Sequence, residues 1–126
     1  YVHAIAHNFG ALYHVPHGRA NAIVMPYVLE YSLPKCAKRL ARLAREAGIG
    51  DEEMSAPERA ELFIQKIRDL NEKFDIPATL DVLQAEDIPK IAHGAREEAR
   101  FTYAVPRYMK RESCEAVIAR MLPAAG

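Results

Sequence analysis

The sequence predicts an all-α domain of five to seven helices, and three observations carry that reading. Alanine occurs 21 times, against 18 for Val, Ile and Thr together, which biases the chain toward helix. Apolar residues recur at three- and four-residue spacing along most of the chain. No alternating run of useful length and no hairpin turn pair interrupts that pattern. The first apolar run already contains His3, and no Ser, Thr, Asp or Asn stands ahead of it as a cap. The chain also starts on Tyr1, so it is expected to be a piece of something longer. Gly10 is expected to loosen or end the first helix, and Pro16 disfavours helix at Val15. A second helix should open near Gly18. A third should run from Pro34 to Ala47, with Cys36, Leu40, Leu43, Ala44 and Ala47 on one face, Ser32 as cap and Gly48 as stop.

Ser55-Ala56-Pro57-Glu58 has the form of a capping box, and Ala60, Phe63, Ile67, Leu70 and Phe74 follow at helical spacing. Ile76-Pro77-Ala78-Thr79 breaks that helix. A shorter one starts at about Asp87, with Ile88, Ile91, Ala92, Ala95 and Ala99 as its buried stripe. Tyr103 to Arg107 is another break. The last helix should run from about Arg111 to Leu122, with Cys114, Val117, Ile118 and Met121 inward.

Composition narrows the function. At 126 residues the chain has the length of one domain, and half of it is apolar, enough for a packed core. Seventeen basic residues balance seventeen acidic ones, so there is no excess charge to grip nucleic acid or an anionic membrane. No apolar run approaches the ~18 residues a membrane-spanning helix needs. No secretion signal is visible, and Cys36 and Cys114 form no motif; the expected setting is cytoplasmic, with both thiols reduced.

The histidines are unevenly placed: His3, His7, His14 and His17 crowd the first 17 residues, while His93 is isolated and reads as an ordinary satisfied side chain. His3 and His7 are four apart and share a helix face. That spacing suits two metal ligands, or a ligand beside a proton donor. His17 is fourteen residues from His3, roughly 21 Å along a straight helix. Metal–nitrogen bonds of ~2.1 Å cannot bridge that gap, so joint ligation requires the chain to fold back between them. Imidazole suits Zn, Fe, Cu or Ni, so the ligand type alone does not select the metal. Asn21, polar within an apolar segment, reads as a buried structural hydrogen-bonder.

The stretch His3-Ala4-Ile5-Ala6-His7-Asn8-Phe9-Gly10, followed by Pro16-His17-Gly18-Arg19-Ala20-Asn21-Ala22-Ile23-Val24-Met25-Pro26, resembles the signature of the iron-containing (group III) alcohol dehydrogenases. Ile76-Pro77, the Asp87 helix and the Val105-Pro106-Arg107 break also fall where that family has them. The resemblance implies the C-terminal, all-helical domain of such an enzyme, over residues 1–126, with the N-terminal nucleotide-binding domain absent from this chain. It implies an Fe2+ or Zn2+ ion held by one Asp and three His, with NAD or NADP as redox partner and a small alcohol or aldehyde as substrate. His3 and His17 match the last two His ligands. His7 matches the histidine beside the nicotinamide, which serves proton relay or substrate binding. The other two ligands would lie before Tyr1. The metal would act as a Lewis acid on the alcohol oxygen while hydride passes to the nicotinamide. Ligating histidines must be neutral, so metal binding should weaken as pH falls through ~6.5.

There are three departures from the family pattern, and the resemblance implies that the region around Val105 and Phe101 borders the substrate pocket. Ser32 stands where many members have Asn, Val105 replaces the Asn that often precedes Pro-Arg, and a Cys carried by some relatives has no counterpart, Phe101 lying near its place. A chain lacking its partner domain should expose apolar surface, self-associate and be inactive alone; the complete enzyme is expected to be a homo-oligomer. Two other readings remain open. One is a non-catalytic helical oligomerisation module or structural metal-binding domain. The other is a zinc site built on the His3–His7 pair, although the gap between them holds no Glu to act as general base.

Overall fold

The computed structural model describes residues 1–102 and 105–123, the side chain of residue 102 excepted. Among these, five α-helices and one short 3-10 turn form the molecule: α1 (Val2–Tyr13), α2 (His17–Glu46), α3 (Ala56–Lys73), the turn Ala85–Asp87, α4 (Ile88–Thr102) and α5 (Arg111–Ala119). No strand occurs among the described residues. The break expected at Tyr103 and Ala104 lies outside them, but residues 105–110 are non-helical as anticipated.

Two cores divide the structure. The larger gathers Ala4, Ile5, Ala6 and Phe9 of α1, Ala20, Ile23, Val24 and Val28 of α2, Leu80 and Leu83, and the inner faces of α4 and α5. All five predicted stripe residues of α4 are buried there, as are Cys114, Val117, Ile118 and Met121. The smaller core lies only between α2 and α3 and consists of Cys36, Leu40, Ala60 and Ile64. Burial keeps both thiols protonated: the pKa of Cys36 is raised, and that of Cys114 is pushed up to about 11.

The main departure from expectation is α2. The two helices predicted between residues 18 and 47 are both present, joined across a kink into one element of 30 residues; the break is at Cys36, where the backbone takes non-helical angles (φ −133°, ψ 15°), two residues past Pro34 rather than before it. Ser32 therefore caps nothing and is buried within the helix. A proline inside a helix removes one N–H and leaves the carbonyl four residues earlier without its donor. Pro26 does this to Ala22, and the Asn71 side chain of α3 supplies the missing bond, Nδ2 donating to the Ala22 carbonyl at 2.9 Å. Near Pro34 the Cys36 thiol donates to the Ser32 carbonyl at 3.1 Å. The borrowed Asn71 donor lets the helix continue past Pro26, where local rules would end it. On its outer half Leu43 and Ala47 face solvent rather than the core, and so do Leu70 and Phe74 of α3.

The capping box of α3 forms as expected: Ser55 Oγ accepts from the Glu58 N–H, and the Glu58 carboxylate accepts from the Ser55 N–H. Glu30 ties the arm to the body, accepting from Arg68 of α3 and, at 2.6 Å, from Arg120 just past α5. Burial raises the pKa of Glu30, but the two guanidinium groups outweigh it and hold the carboxyl below its usual value. The 105–110 connection is fastened to α2 by Arg107, which donates to the Tyr31 carbonyl at 2.9 Å and lies 4.3 Å over the Tyr31 ring.

Candidate functional site

The chain reversal that joint use of the histidines requires is present, though not at Gly10. That residue is inside α1, and its carbonyl accepts the His14 N–H at 3.0 Å. His14 ends the helix instead, in the left-handed conformation (φ 57°, ψ 32°). Pro16 then precedes α2, which opens on His17 itself rather than after a loop at Gly18. Pro16 holds an extended angle, and its carbonyl accepts the Ala20 N–H at 2.9 Å.

This turn brings three rings together. The centres of His3 and His17 stand 5.6 Å apart, those of His7 and His17 5.3 Å and those of His3 and His7 6.2 Å. His7 and His17 are stacked, with 25° between their planes. All three side chains are exposed on the face of α1 and α2 opposite the buried Ala4, Ile5, Ala6 and Phe9. Among the described residues His14 makes none of the cluster's ring contacts; it ends α1. His93 is an exposed residue of α4.

Two imidazoles that share a tetrahedral metal, each bonded at ~2.0–2.1 Å, place their ring centres roughly 5 Å apart. His3 and His17 at 5.6 Å fit that spacing as two members of a ligand set. The described residues do not complete the set, because no group of three or more His, Cys, Asp or Glu among them could hold a metal ion. Asn21 lies one turn beyond His17, on the same side of α2. Its amide was expected to be satisfied, yet Oδ1 is buried and has no hydrogen-bond partner among the described residues.

Sequence reasoning missed one residue. The Nδ1 of His7 lies 2.6 Å from Oε1 of Glu98, on α4. The only local signal was a carboxylate flanking the buried Ala95–Ala99 stripe. Phe101 is three residues further along α4, hence a surface neighbour of Glu98, and is exposed beneath the Arg100 guanidinium.

A helical domain that turns three histidine rings toward one another within its first 17 residues defines a class. The chain belongs to the Fe-containing alcohol dehydrogenase family, whose C-terminal part matches it over residues 1–122. Lactaldehyde reductase of Escherichia coli is 37% identical over 99 residues, covering 77% of this chain and 26% of the reductase. Alcohol dehydrogenase 4 of Saccharomyces cerevisiae is 38% identical over 103 residues, covering 79% and 25%. Among solved structures, the alcohol dehydrogenase from Oenococcus oeni superposes with a TM-score of 0.88 at 32% identity, over 96% of this chain and 32% of that one. A 1,3-propanediol oxidoreductase does so at 0.86 and 31%, over 95% and 32%. The chain thus spans about a quarter of the length of the curated relatives it matches.

Proposed function

We propose that this chain is the helical half of a metal-dependent oxidoreductase that interconverts a small alcohol with an aldehyde or ketone, using NAD or NADP. One observation supports the reading: the turn over residues 14–16 brings the rings of His3 and His17, fourteen residues apart, to 5.6 Å between centres, close to the spacing two imidazoles on one metal would have. Family membership and the names of the relatives agree with it. An iron or zinc ion held there would supply a Lewis acid to the substrate oxygen. His3 and His17 would hold it, with the remaining ligands and the nucleotide site provided by a preceding domain. His7, beside them, would receive or return the substrate's hydroxyl proton, and Phe101 would border the substrate. The working assembly would be a homo-oligomer in the cytoplasm, where buried, reduced thiols are at home.

The test is elemental analysis of the complete enzyme, expressed anaerobically, together with nicotinamide-linked oxidation of short alcohols. About one iron or zinc per chain, with turnover lost on chelation, is expected. His17→Ala should abolish metal retention. Full metal content in that variant would remove His17 from the ligand set.

A further inference from the structure

We propose that Glu98 is the positioning residue for His7: it fixes the imidazole as the Nδ1–H tautomer and so makes Nε2 the atom that meets the substrate hydroxyl. The inference rests on the function proposed above. Its basis is the contact of 2.6 Å between Glu98 Oε1 and His7 Nδ1, made across 91 residues of sequence. An ionised carboxylate only accepts, so Nδ1 must be the donor. A neutral imidazole carries one N–H, which leaves the lone pair on Nε2. The ring is also held on its face, where His17 stacks against it.

The fold holds both backbones rigid behind this pair. On α1, Ala4, Ile5, Ala6 and Phe9 are fully or almost fully buried around His7. On α4, Ala95 and Ala99 do the same around Glu98. The helices approach closely because Gly94 has no side chain: a Cβ there would stand 2.6 Å from Asn8 Oδ1, the residue next to His7. Asn8 in turn is pinned, its Nδ2 donating to the Ala4 carbonyl at 2.9 Å. The close approach of α1 and α4 thus sets the reach from Glu98 to His7.

The test uses the complete enzyme with 15N-labelled histidine. In the metal-free protein, the nitrogen shifts of His7 should report Nδ1–H. Glu98→Ala should move His7 toward the Nε2–H form and lower kcat about tenfold or more, with metal content and KM unchanged. Glu98→Gln keeps an acceptor of the same reach and should recover most of both signals. A merely structural role would lower metal content, KM performance and kcat together, without rescue by Gln. An Nε2–H tautomer in the wild type, or a Glu98→Ala protein with unchanged tautomer and kcat, would overturn the proposal. Should Glu98→Ala not fold, Glu98→Asp, shorter by one methylene, is read by the same two signals. An enzyme without metal-dependent turnover would remove the proposed function, and the tautomer would still decide this inference.

Discussion

The histidine end of the molecule and the α2–α3 arm are held together by different means. At the histidine end the shaping contacts span long stretches of chain. His7 meets Glu98; the Tyr13 hydroxyl donates to Asp87 Oδ2 at 2.6 Å; the Met109 N–H donates to the Tyr1 hydroxyl at 2.8 Å. In the arm more of the devices are local: a capping box within four residues, a thiol bonded one turn back, and a small core shared by two helices adjacent in sequence, beside the longer reach of Asn71 to Ala22 and of Glu30 to Arg68. The arm therefore needs only α2 and α3 to pair, whereas the cluster with its Glu98 contact exists only once α1, α2 and α4 have docked.

The largest expected difference between the regions is in their cores. Ile91 and Ile64 are equally buried, at 0% and 1% exposure, but Ile91 is enclosed by the larger core and Ile64 by the smaller. In chemical denaturation Ile91→Ala should cost about 4–5 kcal/mol, and Ile64→Ala, whose two-helix surroundings can close in, about 2–3 kcal/mol. Equal losses would mean that the arm is packed as tightly as the body. Asn71→Ala comes next. It leaves the Ala22 carbonyl unsatisfied and should cost about 1–3 kcal/mol. In a Pro26→Ala background, where residue 26 regains its own N–H, that loss should shrink toward zero in a double-mutant cycle.

Ser55→Ala should cost about 1 kcal/mol through the lost cap, while leaving metal content in the complete enzyme unchanged. A change in metal content would show that the arm and the cluster are coupled. The smallest effect concerns Glu30. Its folded pKa is depressed, so its contribution is complete above the unfolded value of about 4.3 and disappears as pH falls through the lower folded value. A Glu30→Gln variant should be less stable than wild type at pH 7 and converge with it in acid. A constant gap at all pH values would rule out the ion pairs as the cause.

The same contrast explains what could be read from the sequence. The α3 cap, the α4 stripe and the α5 face were legible because each depends on residues three or four apart. The return of His17 to His3 was legible as a requirement, from distance arithmetic and the Pro16 signal, although the reversal proved to be at His14 and not Gly10. How α2 passes Pro26 was not legible, because the donor that rescues Ala22 comes from Asn71, 49 residues away. Glu98 was hidden for the same reason: nothing near it in sequence hints at His7.

The link between α1 and α2 leaves only residues 14–16 between two helices whose buried faces are both fixed. An added residue drawn into either helix would turn it by about 100°, carrying a histidine off the shared face. A length change taken up by either helix at this point is therefore expected to separate the rings. The 47–55 connection, largely exposed and adjoining only the arm, has no such constraint. A reporter peptide or affinity tag inserted there should leave the three rings where they are, making it the place to cut and graft when the domain is engineered.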